Sequence, residues 1–349
     1  TTEPPGGIID RDLERGEPNG LLLEMNPYVD KLIPTLSAEE MERGITLANQ
    51  EFLSHGITSL QDASWSDSLK RWQTYCHFKE RGKLVSRISM MIGVDEIKDF
   101  DKRGLSASSG DNQLRFGGVK IVLHTTTGSL NPPQEELNQL VCQAHKAGFQ
   151  LALHAVEEDT VEASIAALEC ALSGREKLDH RHRLEHCSVC PPHLVQRLKN
   201  IHAVVVTQPP FIYWSGERYL ATVSQEDLKW LYPIGLLLGN GLRVAASSDS
   251  PVAPLNPLVG IYAAVTRKVE IGQAVLPGEG ISPLAALKMY TLEAAYASFE
   301  EGVKGSIAPD RLADLVVLSD DPSGVPPEEI KKIQVVMTIA DGKVVWERQ

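Results

Sequence analysis

The sequence has little of what marks proteins that bind nucleic acid or cross membranes. Only 34 residues are lysine or arginine against 46 aspartates and glutamates, which gives a net charge of −12. Nucleic-acid binding needs a basic face, and this balance disfavours one. The apolar runs, such as Ala203–Val206 and Leu236–Leu238, are much shorter than the ~18 residues of a membrane span. We therefore expect neither a nucleic-acid partner nor a membrane span.

Cysteines and N-terminal targeting signals are also scarce. Five cysteines, an odd number in 349 residues, argue against a disulfide framework and favour a reducing compartment. The segment Thr1–Gly7 lacks the basic start and the apolar core of a secretory signal. It also lacks an initiator methionine, so we expect the true N-terminus to lie elsewhere. The sequence predicts a cytoplasmic protein and leaves the oligomeric state open, with a homodimer as one arrangement.

What the sequence does contain is a regular alternation of helices and strands with short links. This pattern is typical of parallel strands joined by right-handed crossovers. A closed barrel of this α/β type has eight strands. The seven predicted strands are Ile57–Gln61, Arg87–Ile92, Leu114–Leu123, Phe149–His154, His182–His186, Ala203–Thr207 and Arg243–Ser247. We predict a TIM (β/α)8 barrel whose strand 1 lies before Thr1. The alternative, an open doubly wound sheet, needs a glycine-rich phosphate turn, and the sequence has none.

The pattern divides the chain into three segments. Residues 1–36, rich in proline, glycine and charge, are predicted to be an N-terminal loop. Residues 37–303 would form the barrel with strands 2–8, whose first helix starts at the capping box Ser37–Glu40. The predicted helix Gln225–Leu238 is kinked or broken at Pro233. Residues 304–349, with short β-like runs, are predicted to be part of a C-terminal β-sandwich.

Residues able to bind a metal or move a proton stand at four predicted strand ends, where such barrels place their active sites. They are Lys120, His154, His186 and Asp249. Imidazole and carboxylate groups are good ligands for zinc-like cations. The histidines could also be hydrogen-bonded structural groups, and Asp249 a turn cap. Lys120 lies in an apolar strand, so it would be a Schiff-base lysine, an ion-pair partner or a carbamylated bridge between metals.

Several stretches, in their order and spacing, carry a family resemblance over essentially the whole chain. They are Pro5–Asp12, Gly56–Asp62, Val119–Ile121, Leu153–Ala155, His182–His186, Ser247–Val252 and Leu312–Leu318. They resemble the YtcJ-like branch (amidohydrolase family 3) of the amidohydrolase superfamily, which is related to N-substituted formamide deformylases. The resemblance implies one or two divalent ions, with zinc expected. It implies a carboxylated Lys120 that bridges two metals, His154 and His186 on one metal, and Asp249 on the other as proton carrier.

The sequence departs from the family at two places. The family's His-x-His pair at the end of strand 1 is absent, because the first histidine is His55. We expect that pair, like strand 1, upstream of Thr1. His180 and His182 have the right spacing, but they precede their strand and would lie at the wrong end of the barrel. Many relatives have Asp-Gly shortly after the lysine, where this chain has His124, which would line the pocket or touch a metal.

Other residues after the strands are candidates for substrate contact. The predicted substrate-binding residues are His124, Gln208, Tyr213, Trp214 and Trp65. Gln208–Trp214 is predicted to be a proline-stiffened loop, either an aromatic substrate wall or a partly buried connection. Arg183 and Glu185 are interpreted as an internal ion pair. Cys187 and Cys190 have the spacing of half a zinc site, but a second pair is missing, so we expect reduced cysteines.

These observations predict a hydrolase that cleaves amide-like, non-peptide C–N bonds of small molecules with a metal-activated hydroxide. Asp249 would take the proton and pass it to the leaving nitrogen. Three alternatives stay open: a deaminase of the same superfamily, a catalytically incomplete barrel with a binding or scaffold role, and a Schiff-base aldolase. A deaminase would use one metal without a bridging lysine, so Lys120 argues against it.

Overall fold

Seven parallel strands form the centre of the computed structural model, which describes residues 7–107, 109–173 and 179–349. The N-terminal strands β1 (Ile8–Arg11) and β2 (Pro18–Leu23) are separate from them. The parallel strands are β3 (Ser59–Asp62), β4 (Arg87–Gly93), β5 (Leu114–Val122), β6 (Leu151–Ala155), β7 (Arg183–His186), β8 (Val204–Thr207) and β9 (Arg243–Ala246). Their order in the sheet follows the chain without a reversal. A doubly wound sheet reverses at a switch point, so the barrel prediction is confirmed and the alternative is wrong.

Helices connect the strands, and most of those between consecutive strands cover the outer face of the sheet. They are α1 (Asn26–Val29), α2 (Ala38–Ser54), α3 (Leu69–Glu80), α4 (Ile97–Lys102), α5 (Gln134–Lys146), α6 (Glu158–Leu172), α7 (Pro192–Asn200), α8 (Pro210–Thr222), α9 (Gln225–Leu228), α10 (Ile234–Gly239), α11 (Pro257–Thr266), α12 (Pro283–Tyr290) and α13 (Leu292–Ala297). The capping box of Ser37 and Glu40 is present at the start of α2. The predicted helix 225–238 is broken before Pro233, into α9 and α10. None of the described helices combines the length and apolar character that spanning a bilayer requires.

A bulge in β5 sets the register of the strand that carries Lys120. Met90 pairs with Phe116 and Met91 with Gly118, so Gly117 is the extra residue. Gly118 has φ +129°, and a Cβ there would lie 2.7 Å from the Gln150 carbonyl oxygen. Only glycine combines that backbone angle with so close an approach. The glycine pair in the sequence therefore marks a built-in irregularity rather than a weak strand.

Helix α13 lies against the inner side of the barrel as its floor. Ala297 and its neighbours pack on Val204, Val206 and Ala245 of β8 and β9. The last carbonyl groups of the helix, which lack intrahelical donors, accept hydrogen bonds from Gln61, Gln150 and Arg181. The sequence pattern of residues 283–297 predicts one continuous helix, but the structure has two. Thr291 leaves helical geometry, with φ −123° and ψ −90°, and separates α12 from α13.

The N-terminal segment is not the loop that its composition predicts. Strands β1 and β2 pair in antiparallel fashion, with Ile8 opposite Leu23 and Ile9 opposite Leu22. Asp12 closes the turn between them by accepting the backbone N–H groups of Glu14 and Arg15. Most of the charged residues of this segment lie in or beside the turn, and they obscured the two short strands that flank it.

The C-terminal residues form a three-stranded antiparallel sheet that is clamped to the barrel. Its strands are β10 (Leu315–Leu318), β11 (Val335–Ala340) and β12 (Lys343–Glu347). The side chain of Thr338 donates to the Leu53 carbonyl at the end of α2, at 2.7 Å. Arg87, at the start of β4, makes two hydrogen bonds of 2.6 and 2.9 Å to Asp314. Both side chains are buried, so this pair joins the sheet to the barrel.

Candidate active site

The carboxyl ends of β5, β6 and β7 bring three of the predicted ligands together. In the sheet register Val122 lies beside His154, and Ala155 lies beside His186. The two imidazole rings meet edge to face with their centroids 4.3 Å apart. Lys120 lies one pleat below on β5, with only 6% of its surface exposed. The predicted clustering of these strand-end residues is therefore what the fold produces.

His186 is aimed into the barrel mouth by an unusual backbone and a buried amide. His186 and Cys187 have φ values of +74° and +50°, a left-handed conformation that non-glycine residues seldom adopt. The Gln208 side-chain oxygen lies 2.8 Å from His186 Nδ1, and the Gln208 amide donates to Ser247 Oγ at 3.0 Å. With Gln208 oriented in this way, Nδ1 of His186 carries the proton and Nε2 keeps its lone pair for a ligand.

Both histidines of the pair are held in their neutral form. Burial, together with the nearby His186, Lys120 and His124, lowers the pKa of His154 to about 2. Burial also lowers the pKa of His186, with Lys120 adding to the effect. A neutral imidazole is the form that coordinates a metal. The site therefore presents imidazole nitrogens that could coordinate a metal without first losing protons.

A charged network lies beneath the histidines inside the barrel. Burial lowers the pKa of Lys120, while Glu185 acts in the opposite direction. The Nε of Arg183 donates to Glu185, and Arg183 also contacts Gln61 of β3. Arg183 and Glu185 are almost completely buried, so the predicted internal ion pair is confirmed. It places a negative charge next to the amine of Lys120.

Asp249 occupies a turn at the rim of the same mouth. Its φ is +53°, and it lies in an exposed turn directly after β9. Its carboxylate raises the pKa of both Lys120 and His186 electrostatically, opposing the effect of their burial. A solvent-accessible carboxylate beside buried imidazoles is suited to exchanging protons with water and substrate.

Two of the predicted substrate-binding residues, His124 and Trp65, lie near the mouth of the barrel. His124 follows β5, and its Nε2 lies 2.9 Å from the Asn131 amide nitrogen. Trp65 is 51% exposed, and its carbonyl oxygen lies so close to Gly93 that a Cβ there would be 2.3 Å away. Because Gly93 is the partner of Lys120 in the sheet, Trp65 lies on the rim of the mouth.

The prediction of an aromatic loop after β8 is wrong, because most of that segment is helical. Pro210–Thr222 is helix α8, because Pro210 at its first position and the polar-apolar spacing that follows suit a helix start. Tyr213 packs edge to face on Tyr262, 5.7 Å between ring centroids, and lies under the amine of Lys331. Trp214 meets the Tyr213 ring edge to face. The described contacts of the Tyr213 ring are with Trp214, Tyr262 and Lys331, and none of these is with the histidine pair.

Histidines 180 and 182 lie at the opposite end of β7, as their position before the strand predicts. His182 Nε2 is 2.9 Å from His145 Nδ1, and its Nδ1 accepts the Leu151 backbone N–H. His180 stacks on His182 with 4.4 Å between centroids. Burial lowers the pKa of His182 to about 2. These rings pack and hydrogen-bond within the barrel wall rather than facing the mouth.

Sequence reasoning missed residues that reach the site from distant segments. Ser247 accepts a hydrogen bond from the Gln208 amide. Burial chiefly raises the pKa of Tyr232, and the Asp249 carboxylate adds to that effect. Glu24 of the N-terminal segment lies 4.0 Å from His124. No local motif signals these contacts, because each depends on how loops far apart in the chain fold over the mouth.

The side chains at the barrel mouth include potential donors for a divalent ion. Across the described residues, no three histidine, cysteine, aspartate or glutamate side chains converge closely enough to hold a metal by themselves. The pair of neutral imidazoles, with Gln208 fixing one tautomer, matches the ligand chemistry and supporting contacts of zinc-type sites. Lys120 lies below the pair and Asp249 beside it, so these residues fit such an ion. Cys187 and Cys190 are free buried thiols.

Comparison with known proteins decides the family. The amidohydrolase family model matches residues 1–346. The chain belongs to the amidohydrolase family. It is 26% identical to YtcJ of Bacillus subtilis (strain 168) over 373 residues, covering 100% of this chain and 69% of that protein. It is 28% identical to N-substituted formamide deformylase of Arthrobacter pascens over 387 residues, with the same coverage. As a member of this family, the chain is a hydrolase, and the family implies a divalent metal.

Solved structures share the fold. An uncharacterized metal-dependent hydrolase from Pyrococcus horikoshii OT3 superposes with a TM-score of 0.75 at 22% identity, covering 91% of this chain and 67% of that one. The A. niger ochratoxinase gives a TM-score of 0.61 at 17% identity, over 92% of this chain and 79% of its own. At these identities the likeness concerns the barrel architecture alone.

Proposed function

We propose that this amidohydrolase cleaves amide-like, non-peptide C–N bonds of small molecules. The observation that carries the proposal is the edge-to-face pair of His154 and His186 above buried Lys120. These three residues and Asp249 would hold one or two divalent ions, with zinc the expected metal and Lys120 carboxylated. The substrate class is supported by the relative named N-substituted formamide deformylase.

The residues of the chain have distinct tasks in this reaction. A bound divalent ion acidifies water and polarises the scissile carbonyl group. Gln208 keeps His186 in the tautomer that leaves Nε2 available. Asp249 accepts the proton of the attacking water and delivers it to the leaving nitrogen, so that amine and carboxylic acid are the products. Its exposed turn gives the carboxylate the freedom to make both transfers.

The test compares metal content and hydrolysis in matched variants. Wild type, His154→Ala, Lys120→Ala and the surface control His193→Ala are reconstituted with zinc and bicarbonate, and their metal is measured by elemental analysis. We expect about one to two ions per chain in wild type and His193→Ala, and a loss in the other two. His193 is a suitable control because it is well exposed on α7.

A panel of N-substituted formamides and other small amides then defines the chemistry. Release of amine together with acid supports the proposal, whereas release of ammonia from an amino-substituted ring favours the deaminase alternative. A wild-type protein that stays free of metal after reconstitution favours the incomplete barrel. We also propose a cytoplasmic location and a homodimer, which fractionation and light scattering test separately.

A further inference from the structure

The β1–β2 hairpin stands apart from the other β-structure. Among the described strands it forms a two-stranded sheet of its own, paired with neither the barrel nor the C-terminal sheet. Leu13 in its turn is fully exposed, and Leu21 is 52% exposed. A lone two-stranded hairpin is marginally stable at best. Its position therefore depends on the contacts that it makes with the barrel.

Glu24, the residue directly after β2, makes a polar contact of this kind. Its Oε1 accepts a hydrogen bond from Thr126 Oγ1 at 3.1 Å, and its Oε2 lies 4.0 Å from His124 Nε2. Glu24 has φ +53°, a conformation that is costly for a non-glycine residue. The left-handed backbone at this point turns the chain from β2 towards α1 while the side chain stays on the barrel loop.

The loop that Glu24 contacts belongs to the candidate active site. His124 and Asn131 bracket it with two backbone hydrogen bonds of 3.1 and 2.9 Å. The loop begins two residues after β5, the strand of Lys120. His124 also acts electrostatically on His154. Glu24 thus connects the hairpin to the segment that borders the histidine pair.

We propose that the β1–β2 hairpin covers the substrate in the barrel mouth, and that Glu24 is the positioning residue that holds it there through Thr126 and His124. The proposal rests on the proposed function, because it assigns the hairpin to that site. A covering hairpin adds contact area and excludes water from the mouth. Releasing it weakens substrate binding more than it slows the chemical step.

The first test measures the hairpin itself, in the metal-loaded protein without substrate. Glu24→Ala, Thr126→Val and the double variant are compared with Glu14→Ala, which removes the same charge from the hairpin turn. Hydrogen exchange of the backbone amides of residues 8–23 is followed by mass spectrometry. We expect exchange about tenfold faster in both single variants, equivalent to about 1.4 kcal/mol. The double variant should be no faster, and Glu14→Ala should stay within about twofold of wild type.

Two outcomes overturn the proposal in this test. One is exchange in Glu24→Ala that matches Glu14→Ala, and the other is loss of bound metal in Glu24→Ala. The second test uses a substrate found in the amide panel, for which Glu24→Ala should raise KM about tenfold with kcat within about threefold. An unchanged KM with a reduced kcat contradicts it. If the protein hydrolyses no amide, the proposed function fails, while the exchange measurement still decides how the hairpin is held.

Discussion

The contact between Gln208 and His186 predicts a measurable loss of metal affinity. Gln208→Leu keeps the approximate volume of the side chain but removes the oxygen that lies 2.8 Å from His186 Nδ1. Both residues are buried, so water cannot replace the lost partner. A buried N–H without an acceptor costs about 1–3 kcal/mol. Loss of the group that hydrogen-bonds to a metal-binding histidine lowers metal affinity about 10- to 100-fold, or about 1.4–2.7 kcal/mol.

The assay is competition for zinc against a chromogenic chelator at constant pH. The control is Gln196→Leu on α7, which removes an exposed glutamine whose amide bonds only to Asn200 among the hydrogen bonds described. Circular dichroism of the metal-free proteins establishes that both variants are folded. If Gln208→Leu binds zinc within about twofold of the control, Gln208 does not orient His186 for a metal, and the ligand assignment of His186 fails.

Three further predictions concern stability, each measured by urea unfolding. Asp314→Ala leaves the buried Arg87 without its partner, so we expect a loss of about 3–5 kcal/mol; a loss below 1 kcal/mol contradicts the clamp. Burial and the neighbouring Asp62 raise the pKa of Asp67 to about 8. Its protonated carboxyl stabilises the fold fully at low pH, and the contribution disappears as pH rises through 8; Asp67→Asn should abolish that dependence. Gly118→Ala should cost more than about 1 kcal/mol, because its φ of +129° and the carbonyl 2.7 Å away oppose a side chain; a neutral effect would refute the bulge argument.

The barrel and the histidine pair could be predicted because they depend on local patterns and a general rule. Each strand is a short apolar run next to a turn, and parallel barrels collect the residues that follow their strands at one end. Lys120, His154 and His186 were found in this way. The two strands of the hairpin were missed, because the charged residues of the turn dominate the composition of a short segment.

Helix α8 and the role of Gln208 show where local reasoning ends. A proline pair followed by aromatic residues is compatible with a loop or with a helix start, and tertiary packing on Tyr262 selects the helix. The left-handed backbone at residues 186 and 187 turns the His186 ring into its contact with Gln208. Such backbone angles for non-glycine residues have no signature in a single sequence.

The floor helix α13 determines when the barrel can be completed during synthesis. Its carbonyl groups bind Gln61 on the first described barrel strand, 233 residues away, and Gln150 beside β6, 147 residues away. During synthesis on the ribosome, the strands emerge long before residues 292–297. Until then the inward-facing apolar side chains of Val204, Val206 and Ala245 lack the helix that packs on them. Contacts of such long range slow folding and leave intermediates exposed to aggregation. Chains that end before α13 should therefore depend on chaperones to avoid aggregation, even if all their βα units are intact.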